Sequence, residues 1–201
     1  VKAGIITQLL PAGLPAPFSL ELSGLASLTA FANGPGAKDA ENASGVINFE
    51  EDTCTFAIFN KTVLVLIRRF DIGMNSLLQK VQDSLGVDRE TAQGIVSDGS
   101  FDISQAVTEV MEPLVKQLIV SRDFVERREN CHLGSIYVSG GIVVSRDSID
   151  EMKSALGVDV LPWNPLEGLV IGAGAVPENL AGQEWQFTAA AGACMATLEH
   201  T

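Results

Sequence analysis

Two short stretches of this 201-residue chain carry residues suited to chemistry. The first is Glu50-Glu51-Asp52-Thr53-Cys54-Thr55. It interrupts a region rich in β-branched and aromatic residues, so it is expected to turn a hairpin. Backbone N–H groups and hydroxyls in such a turn can cradle a phosphate. Here three consecutive carboxylates occupy it, and they would repel an anion unless a divalent cation intervened. The plainer alternative is an acidic hairpin tip facing water. The second stretch is Val138-Ser139-Gly140-Gly141. A glycine pair after a buried strand lets a ligand approach the backbone, because no side chain obstructs it. A tight strand-to-helix turn would use the same residues.

Other chemistry finds little support. Cys54, Cys131 and Cys194 are far apart, and His132 and His200 are the two histidines. A zinc site needs about four clustered ligands, so Cys131 and His132 are expected to be ordinary residues opening a strand. Unpaired thiols suit a reducing cytoplasm. Ser139 and Ser145 have no histidine at a suggestive spacing. Asp147, Asp150 and Glu151 fall in the first turns of an expected helix, where carboxylates complement the helix dipole. Trp163 and Trp185 are expected to pack.

Composition narrows the class. Asp and Glu number 25 and Lys and Arg 13, a net charge of −12. The hydrophobic fraction of 46% excludes a disordered chain. The acidic balance argues against nucleic acid, since no cationic excess exists to displace counterions from phosphates. No run approaches the roughly 20 apolar residues of a membrane-spanning helix, so direct membrane insertion is not expected. The chain begins without a basic, apolar leader, and its first residue is Val1 and not Met, which suggests a piece of a longer protein.

Apolar spacing places the elements that hold these stretches. Residues 1–17 read as a loop or strand approach, and 19–31 turn to helical spacing. Residues 33–45 are polar and turn-rich. Strands are expected over 46–50, 53–59 and 62–70, a meander with a turn at Asn60-Lys61. The run TVLVLIRRF is nearly all apolar, as in a strand covered on both faces. Met74, Leu77, Leu78, Val81 and Leu85 make one helical stripe closed by Gly86. A second helix enters through Asp88. A long one over 104–128 contains Pro113, which predicts a kink or two helices meeting. A strand at 134–139, a helix capped by Ser145 and ended by Gly157, and a strand at 158–161 follow. Residues 166–184 are Gly-rich and loop-like, and 185–198 form an Ala/Gly-rich closing helix. The class is α/β, an antiparallel meander feeding strands in βαβ order.

The order of these segments resembles a known family. VINFEEDTCTFAIFNKTVLVLIRRFDIG is similar to the phosphate hairpin and following strand of the actin-like type IV pilus assembly protein PilM family. In that family an Asp-x-Gly motif starts the hairpin, and an Arg-x-x-x-x-Gly ending leads to the next helix; Arg68 or Arg69 and Gly73 fill the latter here. LGVDRETAQGIVSDGS resembles its LG-(V/L)-x-x-E-x-A region, and SIYVSGGIVVSRDSIDEMKSALGVDVLPWNPLEG its adenosine stretch. TAAAGACMATL resembles its final helix, and AGIITQLLPAGLPAPFSLELSGLASLTAF its interdomain segment. The likeness covers nearly the whole chain but only the C-terminal half of the family's protein.

The resemblance implies an actin-like ATPase (ribonuclease H-like) domain: a mixed sheet of about five strands flanked by helices, with a small helical insertion near 74–130. Residues 1–45 would be an interdomain segment and loop, and 46–201 the actin-like domain. The resemblance also implies a nucleotide site of which Thr53, Gly140 and Gly141 carry over. Where the family has Asp this chain has Asn48, and where it has Gly this chain has Glu50. The first change removes a carboxylate that organises Mg²⁺ waters. The second puts bulk and negative charge where phosphates would sit, so Glu50 is expected to close the pocket. A degenerate relative is implied, as in the cytoplasmic domain of the secretion protein GspL. The expected function is a non-catalytic scaffold of a pilus or secretion platform. It would be cytoplasmic, peripheral to the inner membrane, and bound to PilN-like partners, with no cofactor. The alternatives are an ATPase using ATP and Mg²⁺, or an unrelated α/β domain.

Overall fold

The computed structural model describes residues 20–38, 42–167, 169, 170, 172, 180 and 182–198. The chain runs α1 (Ser23–Asn33), α2 (Pro35–Lys38), β1 (Ala43–Phe49), β2 (Cys54–Asn60), β3 (Val63–Phe70), α3 (Met74–Leu85), α4 (Arg89–Asp98) and α5 (Ser104–Glu129). It continues with β4 (Leu133–Gly140), a 3₁₀ turn (Gly141–Val144), α6 (Arg146–Leu156), β5 (Asp159–Pro162), a second 3₁₀ turn (Glu184–Phe187) and α7 (Thr188–Leu198). The expected loop over 1–17 and most of that over 166–184 lie outside the described residues.

One mixed sheet has the order β3-β2-β1-β4-β5. β1 to β3 form the antiparallel meander, while β4 and β5 add parallel to β1. The period-2 geometry of β2 sorts its side chains to two cores. Phe56 and Ile58 join Leu77, Leu114 and Leu118 on one face. Ala57 and Phe59 meet Phe31 and Trp163 on the other. Each large buried side chain contributes about 1.5–3 kcal/mol relative to exposure. Phe31 centres the second core, with ring centroids 5.4 Å from Phe59, 5.3 Å from Tyr137 and 5.7 Å from Trp163. α1 and α7 cross closely there, because Gly192 faces the Ala26 carbonyl where a Cβ would fall 1.7 Å away.

The expected caps are in place. Gly86 and Gly157 adopt left-handed φ of 67° and 66° beyond their helices, and Gly99, not foreseen, does the same at 65°. Asp88 accepts from Thr91 N at 2.8 Å, and Ser145 Oγ from Ser148 N at 3.3 Å.

Four expectations are corrected. β1 starts at Ala43, inside the stretch expected to be loop, because its backbone pairs with Asn60 and Leu133 on either side. Residues 35–38 of that stretch are helical. The hairpin turn is Lys61-Thr62, with φ 49° and 71°, one residue later than expected. Of the two outcomes expected at Pro113, two helices meeting is excluded, because it lies within a single helix, Ser104–Glu129. The fourth correction concerns β3, which is an edge strand and not one covered on both faces. Its composition suggested burial because sequence alone does not show where a strand sits in the sheet.

Candidate functional site

The parallel pairing of β1 with β4 brings the two chemically suggestive stretches together. Phe49 lies opposite Gly140, and Asn48 opposite Ser139. Above these strand ends opens a cleft of about 470 Å³. Asn48, Glu50, Glu51, Gly140 and Gly141 line it from the sheet, Met74, Asn75, Arg89 and Gln93 from α3 and α4, and Trp185 and Gln186 from the second 3₁₀ turn. The cleft is therefore not closed, contrary to expectation. Glu50 folds back on its own hairpin, where Glu50 Oε2 accepts from Thr53 Oγ1 at 3.2 Å.

The hairpin turn is locked from within and from α3. Glu50 N donates to Thr53 O at 2.9 Å. Met74 N and Asn75 N, at the start of α3, donate to Glu50 O and Glu51 O at 3.0 and 2.7 Å. These helix-terminal N–H groups are the donors an anion would otherwise seek. Gly73 permits this docking, since a Cβ there would fall 2.4 Å from Glu51 O. A side-chain relay ties the rim: Arg89 Nη2 donates to Asn75 Oδ1 at 2.5 Å, and Asn75 Nδ2 to Asp52 Oδ1 at 2.8 Å.

Among the described residues three side-chain polar atoms are buried without a partner, Glu50 Oε1 and Trp185 Nε1 at the cleft and Trp163 Nε1 in the second core. Cys54 sits beneath the turn, fully buried. Burial, and then the charge of Glu50, push its thiol up to about 12 from 9.0, so it stays neutral and inert.

The glycine pair has a structural explanation. Gly140 has φ 85°, and a Cβ would fall 1.9 Å from Phe49 O. Gly141 abuts the Met74 side chain, where a Cβ would fall 2.9 Å from Cγ. Both still line the cleft. Thr53 does not; it is buried with its hydroxyl committed to Glu50. Arg68 is held by Ser121 Oγ at 2.9 Å on α5 and is not at the site.

The sequence missed Trp185, Arg89 and Met74. Trp185 is placed by a hydroxyl chain. Thr188 Oγ1 donates its one proton to Trp185 O at 2.7 Å, so Ser139 Oγ must be the donor across the 2.5 Å contact to Thr188. A lone tryptophan before an Ala-rich helix was the only available signal.

A triphosphate with Mg²⁺ does not fit these residues well. The turn offers carboxylates where phosphate oxygens need donors, and its backbone N–H of Glu50 is already bonded. Arg89 is the one cation lining the cleft among the described residues. Among them, too, no group of three or more His, Cys, Asp or Glu could hold a metal, and no helix is long and apolar enough to cross a membrane.

No protein-family model and no curated protein matches the sequence. Solved structures do match. The chain is similar to one in a PilM-PilN type IV pilus biogenesis complex, with TM-score 0.76 and 21% identity, over 94% of this chain and 55% of that one. It is also similar to Ta0583, an archaeal actin homolog, with TM-score 0.58 and 15% identity, over 90% and 55% of the two chains. A third is MreB 5 of Spiroplasma citri bound to AMPPNP, with TM-score 0.57 and 11% identity, over 89% and 59%. The chain spans little more than half the length of each. Its five-stranded mixed sheet flanked by helices is thus an actin-like fold of the kind found in PilM.

Proposed function

We infer that this chain is part of an actin-like scaffold of a pilus-type assembly platform, acting through protein binding with a degenerate nucleotide site. It works at the cytoplasmic face of the inner membrane, held there by a PilN-like partner. The actin-like domain begins with β1 at Ala43, ahead of the expected boundary at 46, and carries an insertion at about 74–130. Similarity to the chain of the PilM-PilN complex supports the system and the partner. The observation that carries the non-catalytic part is the hairpin turn. Glu50 and Glu51 line the cleft, the Glu50 N–H is bonded within the turn, and α3 is docked on the turn's carbonyls, so its N–H donors are spent.

One observation favours an ATP-binding enzyme instead: the cleft remains open over Gly140 and Gly141. Phosphate release from ATP and Mg²⁺ by the full-length protein, with and without its partner, separates the two. Background rates in both arms are expected. Release that scales with protein concentration and disappears in Gly141→Trp would favour the enzyme.

A further inference from the structure

The strand β3 has the composition of a covered strand in an uncovered place. Val63-Leu64-Val65-Leu66-Ile67 is unbroken apolar sequence, yet β3 ends the sheet. Val63, Leu64 and Ile67 are 61%, 43% and 44% exposed. An apolar edge of this kind is a template for another strand, because its outer N–H and C=O groups lack ladder partners. Among the described residues no strand pairs with that side.

One end is guarded. Val65 has no opposite residue on β2, so it forms a bulge, and its carbonyl accepts from Arg128 Nη2 at 2.7 Å. Bulges and basic side chains protect sheet edges. Beyond the bulge, Leu66 to Phe70 pair regularly with Ile58 to Cys54. That half keeps a straight edge.

Charge selects the occupant. The chain carries −12 overall, yet Lys61, Arg68, Arg69, Arg127 and Arg128 gather at this edge and the neighbouring end of α5. Arg128 has a close carboxylate, Glu129 at 2.6 Å. Arg69 and Arg127 reach theirs only at 3.9 and 4.0 Å. Lys61 and Arg68 have no ion pair among the described residues. The Arg128 guanidinium also lies 5.1 Å over Phe124, which is 51% exposed and lines a groove of about 450 Å³ with Val120 and Arg127. A second copy would bring the same arginines and the same net charge against itself. An acidic strand would not.

We propose that the Leu66–Phe70 edge accepts an extended acidic and apolar segment of a partner protein as a sixth strand, its apolar side chains on the face of Ile67 and its carboxylates on the opposite face, toward Arg68 and the Arg127 end of α5. None of these residues lines the cleft, so the proposal is independent of whether the cleft binds nucleotide.

The test uses the full chain and a fluorescein-labelled peptide alternating Val or Ile with Glu or Asp. Anisotropy should give a Kd on the order of 10–100 μM at low salt. N-methylation of alternate peptide amides, or Ile67→Glu with Arg127→Glu, should weaken it about tenfold or more. Both side chains are exposed, and circular dichroism would confirm that the variant folds. No binding by the acidic peptide, equal binding by a Lys counterpart, or indifference to N-methylation would overturn the proposal. So would a concentration-dependent dimer in sedimentation that Ile67→Glu abolishes, because it would assign the edge to a second copy.

Discussion

Thr53 holds Glu50 on its own hairpin: Thr53 Oγ1 donates to Glu50 Oε2 at 3.2 Å, across a turn closed by Glu50 N on Thr53 O at 2.9 Å. The carboxylate is thereby kept beside Cys54 and out of the middle of the cleft. Its other oxygen is buried and unpartnered. Removing the hydroxyl leaves a second acceptor oxygen unsatisfied. Thr53→Val should lose about 1–2 kcal/mol in urea denaturation, and Thr53→Ser should lose less.

The two adjacent glycines should respond differently to a single methyl group. Gly140→Ala forces a Cβ against the Phe49 carbonyl at positive φ, a backbone clash that side-chain motion cannot relieve. It should cost about 3 kcal/mol or more. Gly141→Ala meets only the flexible Met74 side chain and should cost about 1 kcal/mol. Thermal melts of the pair would measure the contrast.

The β2–β3 turn has both central residues at positive φ, Lys61 at 49° and Thr62 at 71°. A β-branched residue is strained there. Thr62→Gly should stabilise by about 0.5–1 kcal/mol, and Lys61→Asn with Thr62→Gly by somewhat more. Denaturant midpoints would show the gain.

Cys54 gives a pH dependence of fixed sign. Its folded pKa of about 12 lies above the ordinary thiol value of 9.0, so above pH 9 the unfolded chain binds fewer protons than the folded one. This contribution to stability is whole below pH 9 and falls as pH rises, by up to about 1.4 kcal/mol per unit. Cys54→Ala should flatten the decline between pH 9 and 11, and a thiol reagent should leave native Cys54 unmodified at pH 8.

The fold was legible in the sequence because its signals are local. Helical stripes, glycine caps and β-branched runs read correctly at Met74–Leu85, Arg89–Asp98 and Arg146–Leu156. The pairing of the Glu50 turn with Gly140 was legible only through the order of segments. What stayed hidden depends on the third dimension. Apolar Val63 to Ile67 reads the same at an edge as in the middle of a sheet. Trp185 reaches the cleft because Thr188 and Ser139 meet across 49 residues. Glu50 looked like a plug, but its direction is set by Thr53, three positions away.

The most direct measurement is calorimetric titration of ATP with Mg²⁺ into the full-length protein, beside its Asn48→Asp/Glu50→Gly variant. With the backbone N–H of Glu50 bonded within the turn and those of Met74 and Asn75 spent on its carbonyls, the unaltered protein should show no saturable heat, and the variant should bind measurably. Micromolar binding by the unaltered protein, unchanged in the variant, would contradict a degenerate site.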